Sequence, residues 1–113
     1  MNVKEWTLVF DDVMISQLKK VASNNQAKQI LSKMLDKIEL LGPMAGKLLD
    51  SKLHIYEIKN MRPPIRLYFK IAEPAKEAYI FEYEMKTSKE KQARTVQRIK
   101  SKSQISPAKS FSL

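Results

Sequence analysis

Apolar residues recur along this chain with two periods, and the change from one to the other divides it. Trp6, Leu8 and Phe10 repeat at period two, which puts them on one face of a short opening strand over residues 6–10. Asp11 and Asp12 follow, with side-chain oxygens suited to cap a helix. Val13, Met14, Leu18, Val21 and Ala22 then repeat at helical spacing. Ser23, Asn24 and Asn25 read as a break in which Asn or Ser can cap the next helix. Across residues 25–41, Ala27, Ile30, Leu31, Met34, Leu35, Ile38 and Leu41 form the longest apolar stripe, at spacings of three and four. Gly42 and Pro43 end it, because glycine tolerates a left-handed cap and proline cannot continue the hydrogen-bond ladder. The two helices are expected to form a hairpin packed on a sheet.

Beyond residue 53 the period shortens to two. Residues 44–52 read as a connector with a helical turn at most, and 54–59 as the second strand, with His54, Tyr56 and Ile58 on one side. Residues 60–64 hold a turn, since Pro63 and Pro64 resist strand pairing. Ile65, Leu67, Phe69 and Ile71 form the buried face of the third strand and turn Arg66, Tyr68 and Lys70 the other way. After a turn around Pro74, strict alternation over 78–85 puts Tyr79, Phe81, Tyr83 and Met85 on one face and Ile80, Glu82 and Glu84 on the other. Ser88 can cap a last helix carrying Ala93, Val96 and Ile99. Short connections favour antiparallel pairing. The pattern predicts one α+β domain over residues 1–100, in which an N-terminal strand and a helical hairpin pack on a small, mainly antiparallel sheet followed by a basic C-terminal helix. Residues 101–113, rich in Ser, Lys and Pro, are expected to form a basic, loosely packed tail.

Charge sharpens this picture. The net charge is +9, and residues 86–113 hold eight basic side chains against one acidic, while the rest of the chain is near balance. Such clustering favours an anionic partner: nucleic acid, a membrane surface or an acidic protein. A solvated helix face with a basic tail is the alternative. The absence of cysteine removes disulfides and thiolate zinc sites. With two glycines and no P-loop, HExxH or dinucleotide fingerprint, the chain offers no phosphate-cradling loop, and no metal or cofactor is expected. His54, the single histidine, cannot supply a two-histidine acid–base pair and reads as packing. No apolar run reaches the length of about 18 residues that a membrane span needs. The opening residues lack a signal-peptide core, and a cytoplasmic setting is expected.

A sheet carrying Arg and Lys beside a basic helix suits phosphate, which makes RNA a candidate partner. Arg66 stands out, because a guanidinium presents a fork of donors that matches phosphate oxygens. It could bind the scissile phosphate and stabilise charge in the transition state. Pairing with Glu82 or Glu84 on a neighbouring strand is the competing use. Lys59 and Arg62 flank the second turn and could gather at the same phosphate, and Lys86 follows the fourth strand directly. Lys70, Lys89, Lys91, Arg94 and Arg98 extend the basic surface, with Arg94 and Arg98 four apart on one helix face. A ribonuclease that uses the 2′-hydroxyl of its own substrate needs a proton acceptor, cations and a donor for the leaving oxygen. Glu82, Glu84, Tyr68 and the lysines are the candidates, with a surface ion pair as the competing use of either glutamate. Tyr68 shares a face with Arg66 and could stack a base, although packing explains it nearly as well.

The segments "LLDSKLHIYEIKN", "IRLYFKI" and "YIFEYEMKTSKEKQARTVQRIK" resemble, in order, the RelE/ParE superfamily of toxins from toxin–antitoxin pairs, particularly its HigB-like and phage-derived branch. Members commonly show a strand ending Tyr-Glu-Leu-Arg, an arginine in the next strand, and a later strand running into Lys-Lys-Thr. Here "YEIK" at residues 56–59 matches the first with Lys59 in place of arginine. Arg66 matches the second, and "MKT" at 85–87 the third, with Met85 in place of a lysine. The resemblance implies a RelE-like fold and an mRNA endonuclease that acts without metal at the ribosome. Arg66 would hold the phosphate, and Lys59 and Lys86 would supply charge. It also implies a cognate antitoxin as partner. Other members poison DNA gyrase without RNA chemistry, and a member that only binds RNA or protein is the third alternative.

Overall fold

The periodicity of the first forty residues becomes a strand and two helices. In the computed structural model, which describes residues 4–105, β1 (Thr7–Phe10) leads into α1 (Asp12–Val21) and α2 (Asn25–Leu41). Each helix starts on a side-chain cap. The Asp11 carboxylate accepts from the Val13 amide at 3.0 Å, and Asn24 Oδ1 from the Ala27 amide at 3.1 Å. Gly42 ends α2 with φ +55°, its N–H donating to Ile38 O. The Trp6 ring lies where a Cβ on Gly42 would sit, so only glycine fits there.

A 3₁₀ turn, Gly42–Ala45, leads to β2 (Lys47–Asp50), β3 (Ile55–Asn60), β4 (Ile65–Ala72), β5 (Glu77–Met85) and α3 (Lys89–Ile105). The sheet order is β1-β5-β4-β3-β2. Every pairing is antiparallel except β1 with β5, which run parallel, a direction that the long connection through the helical hairpin and three further strands permits. The expected architecture holds: a strand and helical hairpin on a mainly antiparallel sheet, closed by a basic helix.

The sheet is covered on both faces. Met14, Leu31, Met34 and Ile38 of the hairpin pack on Ile65, Leu67, Phe69, Ile71 and Ile80. On the opposite face Ile55, Tyr68, Tyr79 and Phe81 enclose Ile99 of α3. Most of central β4 is therefore buried on both sides, and Tyr68 and Lys70 lie beneath α3 rather than in water.

Four expectations change. Residues 47–50, read as connector, form β2, and the approach of Gly46 to the Glu57 carbonyl leaves no room there for a side chain. His54 is exposed in a turn at φ +55° rather than packed in a strand. Alternation in β5 breaks: Tyr68 faces Glu82 while Phe69 faces Ile80, so Phe81 has no partner and bulges. Tyr79 and Phe81 then lie under α3 together with Glu82 and Glu84, while Tyr83 and Met85 join the hairpin side. On α3 the inward row is Thr95, Val96, Ile99 and Ser103, and Ala93 is exposed. Helix α3 extends through Ile105, and residues 106–113 of the expected tail lie outside the described residues.

The last turns of α3 are pinned at both sides of the sheet. Lys100 Nζ lies 3.5 Å from Asp50 at the end of β2, and Lys102 Nζ donates to Asp11 at 3.0 Å. Tyr79 Oη donates to the other Asp11 oxygen at 2.6 Å. Burial opposes the Asp11 charge, but these bonds and the Val13 amide outweigh it and leave its pKa below the usual 3.8. The folded state therefore holds this proton less readily than the unfolded chain. The resulting stabilisation is fully present above pH 3.8 and is lost as pH falls through the lower native pKa. Urea melts across the acid range should show this slope in the wild type and lack it in Asp11→Asn.

Candidate active site

Strand register assembles the site before any helix covers it. Lys59 pairs with Arg66, and Arg66 with Glu84, so three adjacent strands present a cation, a cation and a carboxylate in one row. Past Met85 the chain turns sharply. Lys86 has φ +51° and its N–H donates to Pro64 O at 3.0 Å, which ends β5 and brings the residue round to the same place. The result is a cavity of about 260 Å³ lined by Lys59, Asn60, Arg66, Glu84, Lys86 and Gln92, among others. Lys59 and Lys86 make no ion pair among the described residues.

Arg66 is held from behind. Its Nη1 donates to Glu57 Oε1 at 2.7 Å, with the arginine side chain 25% exposed. Glu57 lies two residues before Lys59 on β3 and so shares its face. The pair orients the guanidinium and leaves the rest of its donor fork for a ligand. The pairing with Glu82 or Glu84 weighed from the sequence is not the one formed.

Glu84 is buried between two hydroxyls. Tyr68 Oη donates to Oε1 at 2.8 Å and Thr95 Oγ1 to Oε2 at 2.6 Å. Glu82 is also buried, and Arg98 Nη2 donates to it at 2.8 Å. Burial raises the Tyr68 pKa far above its usual value, reinforced by the bond to Glu84 and by the charges of Glu84 and Glu57. Tyr68 is 1% exposed. It therefore has no open face on which to stack a base, and it positions Glu84 instead. Tyr68→Phe would keep the ring and strand Oε1 without its donor, so urea unfolding should show a loss of about 1–2 kcal/mol.

The remaining basic residues divide. Lys70 is not on the surface expected for RNA: α3 covers it, its Nζ donates to Ser103 Oγ at 2.6 Å, and burial pushes its pKa down. Arg62 is exposed in the β3–β4 turn and does not line the cavity. Lys89, Lys91 and Arg94 are exposed on α3. Of the residues singled out from the sequence, the fold brings Lys59, Arg66, Glu84 and Lys86 together at one cavity. Sequence reasoning missed Glu57 and Thr95. The shared face of Glu57 and Lys59 was a readable signal, whereas Thr95 needs the docking angle of α3. Among the described residues no cluster of three or more His, Asp or Glu side chains is placed to hold a metal ion, and no helix is long and apolar enough to cross a membrane.

No family model matches the sequence, and no curated protein sequence matches it. Solved structures do. The isolated E. coli RelE toxin superposes with a TM-score of 0.61 at 22% identity, covering 83% of this chain and 98% of RelE. The chain has the fold of RelE. A double arginine-to-alanine mutant of E. coli RelE in the free state gives a TM-score of 0.62 at 23% identity, covering 84% of this chain and 98% of that one. A chain of the intact E. coli RelBE toxin–antitoxin complex gives 0.60 at 21%, covering 74% of this chain and 99% of that one. The RelE-like core spans nearly the whole of those chains.

Proposed function

We propose that this chain is the toxin of a toxin–antitoxin pair and that it cuts mRNA at the ribosome. The observation that carries this reading is the convergence of Lys59, Arg66 and Lys86 on one cavity at the end of a RelE-like sheet. The motif resemblance in the sequence supports it independently of the fold.

The chemistry follows from what lines the cavity. The guanidinium of Arg66 takes the non-bridging oxygens of the scissile phosphate, with Glu57 fixing its orientation. The substrate's 2′-hydroxyl oxygen bonds to phosphorus and loses its proton, negative charge builds on the phosphorane, and the bond to the 5′-oxygen breaks. Lys59 and Lys86 add positive charge where that negative charge develops. Glu84 is the carboxylate on the wall and the acceptor we assign to the 2′-hydroxyl proton. An ammonium of Lys59 or Lys86 returns a proton to the leaving 5′-oxygen. The products are a 2′,3′-cyclic phosphate and a 5′-hydroxyl. Because the nucleophile belongs to the substrate, this route needs no metal-bound water. An antitoxin that covers these cations would silence the toxin, and the site of action places the protein in the cytoplasm.

Primer extension on mRNA in a translating extract tests the reading. Sharp cuts inside coding sequence, absent when ribosomes are omitted, are expected. Intact mRNA alongside arrested growth would overturn it, and inhibition of DNA gyrase supercoiling would then identify the target.

A further inference from the structure

A second cavity, of about 370 Å³, lies on the other side of Glu84, between α3 and the outer edge of β5. β1 covers that edge only over residues 77–80, so the rest of β5 has no strand beside it. Gln17 of α1 takes the missing strand's place. Its Nε2 donates to Tyr83 O and its Oε1 accepts from Tyr83 N, both at 2.9 Å. The backbone at Tyr83 is already satisfied, which removes the usual reason for an extended peptide to dock at a free strand edge. Recognition here falls to charge. Lys91, Arg94 and Arg98 line the cavity from α3, at spacings of three and four along one helix face. Arg98 is matched by Glu82, and Glu84 is held beneath the helix by two hydroxyls. Lys91 and Arg94 remain as exposed cations with no ion pair among the described residues.

Glu84 lines both cavities and so forms the partition between two groups of three cations. One phosphate can fill only one group, whereas a strand with repeating phosphates can fill both. We propose that the cavity between β5 and α3 is a second phosphate subsite, which takes a neighbouring phosphate of the same single-stranded RNA whose scissile phosphate Arg66 holds. The inference rests on reading the first cavity as a phosphate site. It makes Lys91 and Arg94 contacts to the substrate strand, and it sets a minimum substrate length above one linkage.

Binding of uncleavable 2′-O-methyl oligonucleotides to the full chain, followed by fluorescence anisotropy, tests it. A dinucleotide has a single linkage and a pentanucleotide several. The wild type should bind the pentanucleotide about tenfold more tightly, the size of one charge-assisted hydrogen bond. Lys91→Ala/Arg94→Ala, at exposed helix positions where alanine is well tolerated, should lose that gain and leave dinucleotide affinity unchanged. Neutral methylphosphonates at the flanking linkages should cost the wild type the same gain and cost the variant nothing more. Equal weakening of both lengths by the variant, or losses from variant and neutral linkages that simply add, would overturn the subsite in favour of diffuse attraction. Arg66→Ala reports on the first cavity separately. Unchanged dinucleotide affinity in that variant would overturn the phosphate role of Arg66, while a length gain lost only in the α3 variant would still support the second subsite.

Discussion

Arg66→Ala is expected to remove mRNA cutting, with a fall in rate on the order of a hundredfold to a thousandfold, the usual cost of losing one donor to a charged transition state. The substitution has a second effect that must be separated from the first. Glu57, whose side chain is 12% exposed in the intact protein, would lose its 2.7 Å partner. A carboxylate so enclosed and unpaired costs about 1–3 kcal/mol. Glu57→Gln keeps the shape and removes the charge, so it serves as the control. By itself it should retain cutting, because the guanidinium still lines the cavity. In Arg66→Ala/Glu57→Gln it should restore part of the lost stability and none of the activity. Primer extension and urea melts on the three variants decide the matter. Cutting that persists without Arg66 would remove it from the chemistry, and a loss in Glu57→Gln as deep as that in Arg66→Ala would make the pair a structural unit.

The second large effect is expected at Ile99. This residue is fully buried among Ile55, Tyr68, Tyr79 and Phe81. It is the large apolar anchor of a helix that is otherwise mostly polar. Most of a helix's stability in a protein comes from packing of its apolar face, and this largely polar 17-residue helix depends on such contacts. Ile99→Ala should therefore cost about 2–5 kcal/mol in urea unfolding. The site should feel it as well, because α3 also carries Thr95, one of the two hydroxyl donors to Glu84. A loss below about 1 kcal/mol would mean that the ion pairs at Asp11 and Asp50, rather than apolar packing, hold the helix.

The sequence was most legible where one physical signal acted alone. The stripe from Ala27 to Leu41 had a single period and a Gly-Pro stop, and it became α2 with the expected end. Arg66 sat between buried Ile65 and Leu67, and strand alternation alone put it on the opposite face. Legibility failed where a long-range contact overruled a local pattern. Tyr68 and Lys70 lie at alternating positions that look solvent-facing, but a helix some twenty residues downstream covers them. Lys47–Asp50 carries too little apolar pattern to announce a strand, and β3 recruits it as an edge. In β5, Glu82 and Glu84 stand two residues apart and read as one face with Ile80. Their partners, Thr95, Tyr68 and Arg98, belong to elements whose placement no local spacing encodes. The cations of the cavity were legible singly. Their meeting depended on the register of three strands and on the turn at Lys86.

The unpaired Phe81 has one more consequence. It gives β5 a spare residue upstream of Glu84 and Lys86. If that residue were deleted, the strand would pair straight, and every position from Glu82 onward would keep its facing. An added residue would find no such slack and would turn Glu84 toward the apolar hairpin. Proteins built on this plan can therefore differ by a one-residue gap between the arginine of β4 and the lysine after β5 while holding both at the same cavity. Insertions and deletions along that stretch are not equivalent, and a comparison by spacing alone would count as divergence what the bulge absorbs.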